Sequence, residues 1–241
     1  MMSIQISPDS VDLAHKVAEH LIALCQQAVR DKGLFTLALA GGSTPKAAYQ
    51  LLASPGYASQ VTWPKVQIFW GDERCVPPNN PESNYRMVRE TLLDHIPIPA
   101  ANIHRMEAEL DPSEAARRYE DTLLGVLKNP PRFDLILLGM GTDGHTASLF
   151  PGTPALDENS RWVVANFVPK QSSWRLTLTP GTINLAQNIA FIVAGEPKAA
   201  PLQQVINGKY LPEIYPSQLV KPQLGHLTWF VDKPAAKLLE S

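Results

Sequence analysis

Asp134-Leu135-Ile136-Leu137-Leu138-Gly139-Met140-Gly141-Thr142-Asp143-Gly144-His145-Thr146 joins a wholly apolar run to three glycines, then to an aspartate and a histidine two positions apart. A continuous apolar run marks a strand buried on both faces, as in a parallel sheet covered by helices. A glycine-rich exit lets the backbone approach a ligand, and in open α/β sheets ligands bind beyond the carboxyl ends of the strands. Histidine is the side chain whose ordinary pKa suits proton transfer near neutrality. The stretch therefore predicts a buried strand with reacting groups immediately after it.

The same segment satisfies G-x-G-x-x-G, the dinucleotide fingerprint. That fingerprint needs a long helix after the glycines, whose N-terminus holds a pyrophosphate. Here Pro151-Gly152 stops any helix soon after Phe150. The ribose-binding acid expected about 20 residues on is also missing, because Asp157 and Glu158 fall in a polar loop. The dinucleotide reading is weak.

Outward from this segment, short apolar runs alternate with helical periodicity. Residues 9–30 read as a helix, with Val11, Ala14, Val17, Ala18, Leu21, Ile22 and Cys25 forming its apolar stripe. Residues 35–40 read as the first strand, 45–52 as a helix with Pro45 in first position, and 66–70 as a strand. Helices are expected at 83–93 and at 113–127, the latter with Ser113 as N-cap. Strands are expected at 135–138, 162–167, 175–178 and 190–193. A helix at 197–206, a last strand at 228–231 and a short terminal helix complete the chain. The alternation favours an open, mostly parallel doubly wound (Rossmann-like) α/β sheet with helices on both faces. No linker, repeat or low-complexity block divides residues 1–241, so a single domain is expected.

Composition narrows the function. A hydrophobic fraction of 44% supports a sizeable core, and a net charge of -2 gives no reason to expect nucleic acid or an anionic membrane as partner. Neither a signal peptide nor an apolar run of spanning length is present, and Cys25 and Cys75 lack metal-ligand or CxxC spacing. A cytoplasmic setting is expected. So is chemistry without metal or cofactor, because no set of His, Cys, Asp and Glu has ligand spacing.

Four loops that follow strands carry the chemistry. Gly41-Gly42-Ser43-Thr44-Pro45-Lys46 reads equally as a phosphate cradle at a helix N-terminus and as an ordinary turn with Thr44 as N-cap. Gly71-Asp72-Glu73-Arg74 puts three charges at a strand exit, where solvated charges are the common case but Arg74 suits a phosphate or a developing oxyanion. In the quoted segment, Asp143 is placed to hold the His145 imidazole in one tautomer while its other nitrogen takes a proton from water. His15, His20, His95, His104 and His226 are expected to be structural. Lys198, in the first turn of the 197–206 helix, opposes the helix dipole by about 0.3–1 kcal/mol, a conflict that a bound anion would remove. Arg175 is a further candidate anion contact.

Leu39-Ala40-Gly41-Gly42-Ser43-Thr44-Pro45, Trp70-Gly71-Asp72-Glu73-Arg74, Ser83-Asn84-Tyr85, the stretch 139–152 and Arg175-Leu176-Thr177-Leu178-Thr179-Pro180 together resemble the 6-phosphogluconolactonase family. The resemblance runs in order from about residue 37 to 198. It implies a metal-free hydrolase converting 6-phospho-D-glucono-1,5-lactone to 6-phosphogluconate in the oxidative pentose phosphate pathway. It casts His145 as general base and Asp143 as its supporting carboxylate. Arg74 and Lys198 match the basic pair for phosphate and developing charge, and Gly41, Gly42, Ser43 and Thr44 match a phosphate-binding segment. The implied partner is a small phosphosugar lactone, and the chain is expected to be a monomer.

Two rivals share the architecture. Glucosamine-6-phosphate deaminase/isomerase relatives typically carry Asn-Glu-Pro a few residues after the histidine, where this chain has Ser148-Leu149-Phe150-Pro151-Gly152 and no carboxylate. A sugar-phosphate sensor of a transcription regulator would carry an N-terminal DNA-binding module, and a first strand near Phe35 leaves room for one helix only.

Overall fold

In the computed structural model, which describes residues 2–239, nine strands form two sheets. They are β1 (Met2–Ser7), β2 (Phe35–Leu39), β3 (Val66–Trp70), β4 (Asp72–Arg74), β5 (Leu135–Leu138), β6 (Val163–Val168), β7 (Ser173–Leu178), β8 (Asn188–Val193) and β9 (His226–Asp232). The larger sheet has the order β1-β9-β8-β5-β2-β3 and every pairing in it is parallel. The smaller one, β4-β7-β6, is antiparallel. The expected mostly parallel α/β sheet is thus present, with an antiparallel addition that periodicity did not announce.

β2 and β5 are buried along their whole length, which is why their sequences read as unbroken apolar runs. Thr36 interrupts β2 with a polar group, and Asp134 answers it. One Asp134 carboxylate oxygen accepts from the Thr36 backbone N–H (2.8 Å) and hydroxyl (2.9 Å), and the other lies 2.8 Å from the Lys32 ammonium. This buried lock ties the amino ends of β2 and β5 and lets the ladder pair Leu37 with Leu135 and Ala38 with Ile136.

Helices cover the sheet. They are α1 (Ser10–Lys32), α2 (Ser43–Ala53), α3 (Pro55–Ala58), α4 (Asn84–Thr91), α5 (Pro112–Leu127), α6 (Pro180–Asn184), α7 (Ala199–Asn207) and α8 (Lys233–Ala236). Asp9 caps α1 by accepting from the Val11 and Asp12 N–H groups, both at 2.9 Å, and Gly33 ends it in the left-handed region at φ 78°. The expected stripe is buried except at Val11, which is exposed; Leu13 takes its place in the core.

Several expectations are corrected. The first strand is β1, ahead of α1, because an edge strand with four exposed residues shows no apolar run. α2 begins at Ser43 with Gly42 at the N-cap, so Thr44 and Pro45 lie inside its first turn. α5 is capped by Asp111, whose carboxylate accepts from Ser113 and Glu114, and not by Ser113. A 3-10 turn, Glu196–Lys198, precedes α7. The chain leaves β2 for β3 on one side and returns through β5 on the other, so the strand order reverses between β2 and β5. Ligand crevices of open sheets form at such a point.

Replacing Asp134 by alanine strips a buried backbone N–H of a charged acceptor and is expected to lower stability by about 1.5–3 kcal/mol. The urea midpoint would fall with its m-value unchanged. An unmoved midpoint would mean that the lock contributes nothing to the pairing of β2 with β5.

Candidate active site

At the carboxyl ends of β2, β5 and β8 a cavity of about 230 Å³ opens. Its lining includes Gly41, Gly42, Ser43, Thr44, Arg74, His145 and Lys198, which were separate candidates in the sequence. Asp143 stands behind the wall, in contact with His145. Arg175 is not in the lining; it faces Arg74 across the β4–β7 ladder.

The loop after β5 folds back on itself. The Gly141 N–H donates to the His145 carbonyl (2.8 Å), the Gly144 N–H to the Gly141 carbonyl (3.1 Å), and the Thr146 hydroxyl to the Gly139 carbonyl (2.8 Å). The turn is tight enough that a Cβ on Gly141 would lie 2.0 Å from the His145 Nδ1 and 2.5 Å from an Asp143 carboxylate oxygen. Glycine at 141 is therefore a condition for this pair to exist. The His145 Nδ1 is 2.5 Å from Asp143 Oδ1, and the ring stacks on Phe150 with centroids 4.0 Å apart. Burial alone would raise the Asp143 carboxyl, but the hydrogen bond and charge of His145 outweigh it and hold it at about 2 against an ordinary 3.8. With Asp143 ionised and Nδ1 donating to it, Nε2 is the nitrogen left to accept a proton.

The loop after β2 becomes the α2 N-terminus. Gly42 has φ 103°, a left-handed backbone that other residues adopt only with strain. No side chain caps this helix, so its first-turn N–H groups keep their hydrogen-bonding capacity at the wall of the crevice. Gly41 serves a different purpose: a Cβ there would fall 1.9 Å from the Asn84 Oδ1, so its absence lets α4 close on the loop.

The charged run after β3 is not solvated. Asp72 and Glu73 are buried and begin the antiparallel β4. The Asp72 carboxylate accepts from the Ser148 hydroxyl (2.7 Å) and the Asn84 amide (3.2 Å), tying together the loops after β3 and β5 and the start of α4. Glu73 accepts from the Asn84, Tyr85 and Arg74 N–H groups and the Ser83 hydroxyl. Burial raises its carboxyl pKa, and those backbone donors offset the rise only in part. Sequence reading missed Asp72 and Asn84 as wall residues. The available signal was Ser83-Asn84 opening a helix just after an acidic strand exit.

Three cations remain. Arg74 Nη1 donates to the Glu82 carbonyl and Arg175 Nη2 to the Gln171 amide oxygen, yet the buried Nε of each is without a partner. Burial and then the charge of Arg74 lower the Arg175 pKa. Burial likewise lowers that of Lys198, against the opposing pull of Asp143. Arg74 and Lys198 thus line the crevice beside an uncapped helix N-terminus, with Arg175 next to Arg74 on the neighbouring strand. Of the chain's histidines, only His145 lines the crevice.

Known proteins resemble this chain along most of its length. Residues 8–229 match the family described as glucosamine-6-phosphate isomerases/6-phosphogluconolactonase. The chain is 42% identical over 205 residues to a Haemophilus influenzae protein named 6-phosphogluconolactonase, covering 84% of this chain and 87% of that protein. It is 42% identical over 218 residues to a Synechocystis protein of the same name, covering 88% of each. Among solved structures, a 6-phosphogluconolactonase from Trypanosoma cruzi superposes with a TM-score of 0.90 at 29% identity, over 100% of this chain and 98% of that one. A monomeric glucosamine-6-phosphate deaminase superposes with a TM-score of 0.82 at 21% identity, which is a likeness of fold.

Substituting alanine for Gly141 is expected to expel the His145 ring while the sheet stays folded. In proton NMR, the low-field Nδ1–H resonance of an imidazole bonded to a carboxylate would vanish. If that signal survives in a folded variant, the tight turn does not set the pair.

Proposed function

The chain belongs to the glucosamine-6-phosphate isomerase/6-phosphogluconolactonase family, and from that premise we infer that it hydrolyses 6-phospho-D-glucono-1,5-lactone to 6-phosphogluconate in the oxidative pentose phosphate pathway. The observation that carries the mechanism is His145 in the wall of the crevice, with Asp143 bonded to its Nδ1 from behind.

His145 Nε2 removes a proton from water as its oxygen attacks the lactone carbonyl. Asp143 stays ionised and stabilises the imidazolium that forms. Arg74 and Lys198 share the phosphate and the oxyanion of the tetrahedral intermediate. Lys198 lines the same crevice as His145, and the charge of Asp143 partly offsets the lowering of its pKa by burial. Gly41, Gly42, Ser43 and Thr44 hold the phosphate through the α2 N-terminus, and Arg175 adds positive charge from behind Arg74. Collapse of the intermediate breaks the ring C–O bond, and the imidazolium returns its proton to the departing oxygen. A lactone is an activated ester, so a positioned base worth typically 10²–10⁴-fold and oxyanion donors worth about 10²–10³ each are sufficient.

The segment after His145 favours this reading over sugar-phosphate deamination. Ser148 is committed to Asp72 and Phe150 to the face of the imidazole, so this segment adds no carboxylate to the crevice. Among the described residues Asp72 is the one carboxylate in the lining, and it already accepts two hydrogen bonds. The setting we propose is cytoplasmic and monomeric, consistent with free thiols at Cys25 and Cys75. No helix among the described residues is long and apolar enough to cross a membrane.

His145→Ala and Asp143→Asn should each lower kcat by roughly 10²–10⁴ with the fold retained, measured as 6-phosphogluconate released above the spontaneous rate. Near-normal turnover in His145→Ala would remove it as the base. The Asp143 carboxyl lies below its ordinary 3.8, so its contribution to stability is present above that value and is lost as the pH falls towards about 2. Asp143 therefore imposes no acid limb on kcat above about pH 4, and such a limb there belongs to another group.

Arg74→Ala and Lys198→Ala should separate the two anionic demands. Loss of a phosphate contact raises KM, whereas loss of an oxyanion contact lowers kcat by about 10²-fold or more. If either variant left both constants unchanged, that residue would have no part in the reaction.

A further inference from the structure

We propose that Asp232 is a positioning residue for Lys198: by holding the Gly195 N–H, its buried carboxylate fixes the turn that delivers the Lys198 side chain to the crevice. The proposal rests on the part inferred above for Lys198 in meeting the substrate's negative charge.

Lys198 needs such a support. Its side chain lines the crevice and is half-buried, yet among the described residues its ammonium has neither an ion-pair nor a hydrogen-bond partner. A flexible stem with a free end leaves the place of the ammonium to be set by the backbone that carries it. That backbone is a single 3-10 turn, Glu196–Lys198, between β8 and α7.

β8 and β9 end side by side, with Val193 paired to Val231. Asp232 closes β9 and is buried, and both of its carboxylate oxygens lie 3.0 Å from the Gly195 nitrogen. A backbone N–H bonded to a carboxylate is among the stronger hydrogen bonds of a folded chain. Gly195 passes the constraint on, because its own carbonyl accepts from the Lys198 N–H at 3.0 Å. Its φ of 93° lies in the region that favours glycine and turns the chain out of β8. Asp232 Oδ1 also accepts from the Ala235 N–H (2.9 Å), capping α8, so the carboxylate is itself held from the far side. A second tie on the turn, the Glu196–Lys237 pair at 2.7 Å, is largely exposed, and exposed pairs contribute little. Asp232 does not line the crevice, so its influence on the reaction passes through Lys198.

Kinetics and NMR of the full chain test this. Asp232→Ala should move whichever of kcat and KM Lys198→Ala moves, by about 10- to 100-fold. The double variant should match Lys198→Ala to within about 2-fold, because the support has nothing to hold once the lysine is gone. Gly195→Ala strains the same joint from the other side, leaves the α8 cap in place and should have the same effect; a Cβ there meets only the Pro197 ring, at 3.7 Å. Lys237→Ala should change neither constant. NMR of isotope-labelled dimethyl-lysines gives a reading independent of activity, the Lys198 signal being the one missing from Lys198→Ala. Burial keeps its titration below that of exposed lysines, against the pull of Asp143. In Asp232→Ala and Gly195→Ala it should rise towards them. A merely structural carboxylate would lower the melting temperature and leave the constants of the folded molecules, and the Lys198 titration, as they are. If the wild type left the lactone at its spontaneous rate, the function inferred for the crevice would fall, and the NMR would still decide on Asp232. A Lys198 signal unmoved in folded Asp232→Ala and Gly195→Ala, losses that multiply with that of Lys198→Ala, or an equal loss in Lys237→Ala would each overturn the proposal.

Discussion

β2 and β5 are neighbours in a parallel ladder, and both are covered on both faces, so their register decides which groups meet at their carboxyl ends. A slip of one residue would reverse every side chain on one strand. Thr36 would then lose Asp134, and a buried carboxylate would be left without the N–H and hydroxyl that satisfy it. The polar lock at the closed end of the strands thus fixes the geometry at the open end. The Gly41–Gly42 exit and the Gly139–His145 exit emerge side by side, one offering helix N–H groups and the other a histidine. Neither loop needs to be a site by itself, because the ladder brings the two together.

The smaller sheet adds what parallel strands lack. β4 leaves β3 through Gly71 and turns antiparallel to β7, so Arg74 is held on a strand and not on a free loop. Its carboxylate neighbours are consumed before they can neutralise it: Glu73 caps the start of α4 and Asp72 joins Ser148 to Asn84. Arg74 is left opposite Arg175, two like charges in register across a ladder. Such a pairing is destabilising, and the phosphate contact proposed for Arg74 would relieve it.

The sequence made legible what depends on short range. The apolar runs of β2, β3, β5 and β8, the stripe of α1 and the glycine exits can each be read within a dozen residues, and each stands where it was expected to within a few positions. What escaped depends on distant partners. β1 is exposed along most of its length and exists because β9 offers it an edge. The acidic pair at 72–73 reads as solvated because nothing local reveals that α4 and Ser148 will close over it. Arg175 carries a charge that suits an anion, but only the β4–β7 register reveals that Arg74 stands between it and the crevice. The start of α2 was misplaced by two residues because Pro45 is as acceptable inside the first turn as at its head, and Gly42 took the cap position that Thr44 was expected to fill.

Lys198 shows how a local conflict becomes a functional one. A lysine at the start of a helix opposes the dipole, and in the folded chain it occupies the residue just before α7, half-buried, with its charge disfavoured by desolvation. Only Asp143 pulls in the opposite direction, and that carboxylate is already engaged by His145. Each of these costs is local to the crevice, and in the proposed mechanism each would be removed by one negative group placed between Lys198 and the imidazole. The ground-state lactone has no charge at its carbonyl, whereas the tetrahedral intermediate places a full oxyanion there. An environment that strains a cation until an anion appears stabilises the intermediate more than the substrate, and this difference is what accelerates a reaction.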